Sequence, residues 1–142
     1  MDKLIIRKAR KEDANSVSYL LKQLGYDTAL LSVEEMLLNL STDNNEIYVC
    51  ELKEQIIAVM SIIFFDYFPS AQKLCRITAL IVDEENRGSG IGSKLINFAK
   101  SVALSKKCSV LEVTTSLERE QTQKYYEDIG FEKTSYKYVL KL

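Results

Sequence analysis

The run Arg87-Gly88-Ser89-Gly90-Ile91-Gly92-Ser93 places three of the chain's five glycines within five consecutive positions. An apolar stretch, ITALIV, precedes it and an amphipathic pattern follows, so the glycines stand where a strand runs into a helix. The first amides of a helix lack internal partners, and the macrodipole adds about half a positive charge at that end. Glycine lets an anion approach the main chain because no Cβ intervenes. Arg87 contributes a planar, charged fork suited to phosphate oxygens. Phosphate binding through the backbone is therefore the chemistry this stretch predicts. The competing explanation is a turn that simply needs positive φ.

One phosphate-binding pattern is excluded and a second, the dinucleotide fingerprint, is disfavoured but kept as an alternative. Gly-x-x-x-x-Gly-Lys-Ser/Thr does not occur, which removes a P-loop nucleotide triphosphatase. Gly-x-Gly-x-x-Gly begun at Gly88 ends on Ser93, and the antiparallel opening of the chain does not suit a dinucleotide half-fold. The chain has no histidine. A Ser-His or Cys-His nucleophilic pair, a histidine base and a histidine-ligated metal are thereby ruled out. Cys50, Cys75 and Cys108 are far apart with no C-x-x-C, and read as buried, reduced thiols rather than a disulfide framework or a zinc site. Chemistry here falls to carboxylates, tyrosines, lysines, thiols or the backbone.

These residues sit in a chain of 142 residues, read as one domain over 1–142, with 46% hydrophobic and 27% charged residues. A net charge of −1 supplies no field for nucleic acid or an anionic membrane, and no apolar run has bilayer-spanning length. The opening MDKLIIRKARKED has no secretory pattern, so a cytoplasmic location is expected. Leu4 to Ala9 reads as a strand. Asp13 is placed as the cap of a helix carrying Val17, Leu20, Leu21 and Leu24 and ending at Gly25. Ser32 and Glu35 have capping-box spacing before a second apolar stripe of Val33, Met36, Leu37 and Leu40. Glu46 to Leu52 and Ile56 to Phe65 form a hairpin whose second strand, apolar on both parities, is covered on both faces. A strand over Leu74 to Val82 leads into the glycines and a helix with Ile91, Leu95, Phe98, Ala99 and Val102 on one side. A strand over Ser109 to Thr115, a helix over Arg119 to Ile129 stopped by Gly130, and a last strand in SYKYVLKL complete the order β-α-α-β-β-β-α-β-α-β. The fold class is α/β with a mixed sheet and one β-α-β crossover.

With these elements in place, Arg87-Gly88-Ser89-Gly90-Ile91-Gly92 resembles the Arg/Gln-x-x-Gly-x-Gly/Ala motif of the GCN5-related N-acetyltransferase (GNAT) family. TQKYYEDIGFEK (residues 122–133) resembles that family's Ala-x-x-Phe-Tyr-x-x-x-Gly-Phe segment, with Thr122 at the alanine. The resemblance covers essentially the whole chain and implies the acyl-CoA N-acyltransferase fold.

The resemblance implies transfer of an acetyl group from acetyl-CoA, a cosubstrate, to a primary amine by direct attack in a ternary complex, with no metal. It places the pyrophosphate on the backbone of Arg87, Gly88, Ser89, Gly90, Ile91, Gly92 and Ser93. The pantetheine arm would lie against Leu80, Ile81 and Val82 like an added strand. A main-chain N–H of Val82 or a neighbour would stabilise the oxyanion, and Tyr126 would protonate the departing thiolate. Adjacent Tyr125 is expected to pack. Many members carry an acidic residue where this chain has Thr78 and Ala79, which leaves the base open. Glu112 has the parity to line the cleft and is one candidate, with Glu84 and Glu85 near the loop; deprotonation through water is another route. Ser116 replaces the asparagine that often touches pantetheine.

Acceptor contacts are expected from residues 24–32 and 64–72, which carry Tyr26, Asp27, Asp66, Tyr67 and Phe68, a set suited to a small cationic amine. Motif spacing and the C-terminal segment look similar to the aminoalkylphosphonate and aminoglycoside acetyltransferase branches, which implies a small-molecule acceptor, with a protein N-terminus or lysine as the alternative. Tyr136, Tyr138 and Val139 on the last strand would support a homodimer. A catalytically silent protein that binds or senses acetyl-CoA is the alternative function. Stabilisation by NAD or ATP and not by CoA would revive the dinucleotide or nucleotide binder.

Overall fold

A computed structural model describes residues 3–40 and 42–142. The elements are β1 (Leu4–Lys8), α1 (Ala14–Leu24), α2 (Leu30–Asn39), β2 (Asn45–Leu52), β3 (Gln55–Tyr67), β4 (Gln72–Val82), α3 (Ile91–Ser105), β5 (Val110–Val113) and α4 (Glu120–Asp128). The strands form one mixed sheet in the order β1-β2-β3-β4-β5, antiparallel except for the parallel β4–β5 pair that α3 connects. β3 is the long central strand, and apolar side chains on both its faces are buried, as its sequence requires.

Each face of the sheet has its own core. On one, Leu95, Ile96 and Ala99 of α3 and Tyr126 of α4 pack on Met60, Ile62, Cys75 and Ile77. On the other, Val17 and Leu20 of α1 and Val33 and Leu37 of α2 cover Val49, Val59 and Ile81. The helical stripes read from the sequence are the faces that dock, because 3.6-residue spacing collects those side chains on one side, except that Met36 of α2 points to solvent.

Three expectations are corrected. Residues 135–142 form no strand; from Glu132 onward the chain is exposed and without regular structure. Alternating tyrosine and valine give strand propensity, but a strand exists only through pairing. β5, the neighbouring edge, is a four-residue strand. α2 starts at Leu30 with Ala29 as its cap residue, so Ser32 and Glu35 lie inside the helix and make no capping box.

Asp13, the third, does not cap α1 with its side chain. Its carboxylate instead accepts two hydrogen bonds from the Arg7 guanidinium, at 2.8 and 2.9 Å, and the Arg10 N–H at 2.7 Å. Arg7 also reaches Glu51 at 3.4 Å, which ties β1, β2 and the entry to α1 together. The guanidinium holds the Asp13 carboxyl below the usual carboxylate range. A folded value below the unfolded value of about 3.9 means stabilisation is present above pH 4 and lost as pH falls through the folded value. Asp13→Asn is expected to cost about 3 kcal/mol at pH 7, since it strands Arg7. The difference from the parent should shrink at pH 3, as urea unfolding at the two pH values would read.

Candidate functional site

β4 and β5 pair only from Leu74↔Val110 to Ile77↔Val113. Beyond Ile77, β4 continues to Val82 with β3 on one side and, among the described residues, no strand on the other. The sheet therefore forks. Thr78 is the extra residue of a bulge, because Ser61 pairs with Ala79 while Ile62 pairs with Ile77. Its hydroxyl is 2.5 Å from that of Ser61 and donates to the Ser61 carbonyl at 3.2 Å. Asp83 donates its N–H to Ile57 of β3. The alternation of an antiparallel ladder then turns the N–H and C=O of Val82 and Leu80 away from β3, toward the fork, and commits those of Ile81 to β3.

The fork leads to the glycines. Gly88 and Gly90 have φ of +81° and +82°, and an added Cβ at either would meet no atom within 4 Å. The backbone here needs the left-handed region, and the space outside it is open. Gly90 precedes α3 with no side-chain cap, and the first helical bond runs from the Lys94 N–H to the Gly90 carbonyl. The amides of Ile91, Gly92 and Ser93 lie before that bond, so they are free for an anion. Arg87 is exposed and donates from Nε to the Val82 carbonyl at 2.9 Å, which straps the loop to the end of β4. The Ser89 hydroxyl donates to the Asn86 carbonyl, and that of Ser93 pairs with the Tyr125 hydroxyl at 2.6 Å.

Tyr126 is 8% exposed, with its ring edge-on to Phe131. Gly130, at φ +107°, ends α4 and turns Phe131 back so that its N–H bonds to the Tyr126 carbonyl. The Tyr126 hydroxyl has no hydrogen-bond partner among the described residues, and burial raises its pKa. Burial thus keeps this phenol protonated, with its O–H uncommitted.

The family model described as "Acetyltransferase (GNAT) family" matches residues 15–131. The chain belongs to the GNAT acetyltransferase family. None of the curated proteins compared with it matches. Among solved structures it is similar to a transcriptional regulator from Bacillus halodurans C-125, at 21% identity and TM-score 0.89, over 99% of this chain and 100% of that one. A ribosomal-protein-alanine N-acetyltransferase from Brucella melitensis biovar Abortus 2308 aligns at 18% identity and TM-score 0.82, over 99% and 100%. An aminoglycoside N-acetyltransferase in complex with CoA aligns at 21% identity and TM-score 0.82, over 100% and 96%. These likenesses establish the GNAT fold.

In this GNAT chain Glu112 of β5 lies beside Arg76 of β4 and accepts a short hydrogen bond from its Nε. The Arg76 guanidinium sits 4.9 Å from the centre of the Phe65 ring. Ser116 is exposed after β5, and its carbonyl takes the Arg119 N–H and the Gln123 side-chain amide. Of the residues expected to face an acceptor, Tyr26 and Asp27 line an open depression with Lys22 and Gly25, while Phe68 projects almost fully into solvent. Cys50, Cys75 and Cys108 are free and buried, and burial pushes the Cys75 thiol up to about 12, so none is a thiolate at neutral pH. Among the described residues no cluster of metal-ligating side chains occurs, and no helix is long and apolar enough to cross a membrane.

Sequence reading missed Gln23, whose amide donates to Asp83 and accepts the Glu84 N–H, clamping α1 to the start of the glycine loop. Nothing local marks such a partner sixty residues away. It missed Arg76 as well, although an arginine inside the apolar run LCRITALIV was a visible signal.

Proposed function

We propose that this GNAT protein is an acetyl-CoA-dependent N-acetyltransferase that acetylates a primary amine of a small molecule by direct attack in a ternary complex. The unpaired edge of β4 running into the uncapped, glycine-lined start of α3 carries this reading. The residues present fit acetyl-CoA. Leu80 and Val82 offer main-chain groups to an extended amide chain, and the amides of Ile91 to Ser93 with the positive φ of Gly88 and Gly90 offer a cradle to a pyrophosphate. When bound, acetyl-CoA supplies an activated acyl group. Arg87 supports the cradle through its outer guanidinium nitrogens, its Nε being held by Val82. Tyr126 holds the proton that the leaving sulfur needs. No cysteine is poised to carry the acyl group, which favours direct attack.

The experiment is release of free CoA thiol with a panel of small primary amines. Turnover of at least one amine is expected; binding of CoA without turnover of any would favour the silent sensor, a reading motivated by Thr78 and Ala79 in place of an acidic residue. The exposed Tyr136, Tyr138 and Val139 suit a homodimer contact. A monomer by light scattering at micromolar concentration would remove that part.

A further inference from the structure

Resting on the acetyltransferase reading, we infer that the acceptor amine carries a carboxylate, and that Arg76 recognises it. The helices α1 and α2 cover only the half of their sheet face that holds Val49, Val59 and Ile81. The other half presents Ser61, Ile63, Phe65, Arg76, Thr78 and Glu112, none of them buried. Thr78 shares this side because its hydroxyl meets Ser61, and Arg76 shares it because it stacks over Phe65 and pairs with Glu112. This open patch lies at the floor of the fork, since Arg76↔Glu112 is the last rung but one before β4 and β5 part.

Arg76 spends only Nε on Glu112, and its two terminal nitrogens form no hydrogen bond among the described residues. The side chain stays 39% exposed. A guanidinium whose plane is fixed by a carboxylate on one edge and an aromatic ring beneath presents a pre-organised pair of donors on its remaining edge. That edge matches a carboxylate, which takes two parallel N–H···O bonds. Glu112, already paired, does not make the patch an anionic trap for a bare cation. Its second oxygen has no partner among the described residues and is free to receive an N–H of the acceptor amine. Guanidinium donors and one carboxylate oxygen side by side complement a molecule bearing both a carboxylate and an amine. Arg76 lies two residues before Thr78, where β4 parts from β5, so the patch adjoins the open edge of β4.

Calorimetry on the CoA-loaded protein tests this with matched pairs: alanine and alaninamide, phenylalanine and phenylalaninamide, β-alanine and β-alaninamide. At least one acid is expected to bind tenfold or more tightly than its amide. Arg76→Gln should bring that ratio within twofold, and Arg76→Lys should keep part of it. The double variant Arg76→Gln/Glu112→Gln, which leaves no uncompensated charge, serves if the single variant fails to fold. Ratios within twofold for every pair in the parent protein, or a preference unchanged in Arg76→Gln, would overturn the inference. Thiol release with the same compounds separates the two claims. Turnover of amides as fast as acids sinks the carboxylate and leaves acetyl transfer standing. A carboxylate preference in binding with no thiol released from any amine sinks acetyl transfer and leaves Arg76 as an anion site.

Discussion

The Tyr126→Phe variant is expected to lose about 100-fold or more in kcat for amine acetylation while melting close to the parent temperature. The asymmetry follows from the hydroxyl's lack of a protein partner. Removing it breaks no intramolecular hydrogen bond, and the ring that packs on Phe131 is retained. A purely structural Tyr126 would give unchanged kinetics, so the variant decides between proton donor and core residue. Tyr125→Phe should behave in the opposite way. It deletes the 2.6 Å bond to Ser93, costing on the order of 1 kcal/mol, with a small effect on kcat. Because burial raises the Tyr126 pKa from the ordinary tyrosine value, the phenol stays protonated throughout the neutral and mildly alkaline range. The kcat profile should therefore show no loss from tyrosine ionisation below about pH 10.

Gly90→Ala is the second large effect. At φ +82° any side chain is strained by roughly 1–2 kcal/mol, and relief of that strain rotates the first amides of α3. Each hydrogen bond to a charged oxygen is worth about 1.5–3 kcal/mol, so losing the alignment of one amide weakens CoA binding by about 10- to 100-fold. Gly25→Ala is the matched control. Gly25 has φ +110° and open space around its Cβ position, yet lies at the end of α1 and is not part of the glycine turn itself. It should lose similar stability and keep its CoA affinity. Equal affinities in Gly90→Ala and the parent would separate the glycine's conformational role from ligand binding.

Periodicity made most of the elements legible. The run Ile56 to Phe65 is apolar at odd and even positions, which only a strand buried on both faces satisfies, and β3 is that strand. The stripe Ile91, Leu95 and Ala99 marks the docked face of α3 for the same reason. The turn at Gly88 and Gly90 was legible because a left-handed backbone acts on residue type at the site itself. What depends on a distant partner was not. Glu112 has the parity of a cleft residue, but its ion pair with Arg76 comes from the β4–β5 register, which no local pattern encodes. The fork has the same origin: ITALIV reads as strand to its end, and only the termination of pairing after Ile77 opens the edge. Asp13 was placed at a helix start correctly, yet its carboxylate serves Arg7 of β1, a tertiary demand that outweighs local capping. SYKYVLKL shows the converse, strand propensity with no pairing made.

Acetyl-CoA binding at the α3 N-terminus is read most simply by thermal melting with acetyl-CoA, CoA or NAD. A ligand at 100 times its Kd that binds only the native state adds about 2.7 kcal/mol. For a chain of this size that is a rise of roughly 8 °C, at about 3 °C per kcal/mol. The expected result is such a rise with acetyl-CoA and with CoA, and none with NAD. No rise with either CoA species, or an equal rise with NAD, would contradict the assignment of the glycine loop and the β4 edge to acetyl-CoA.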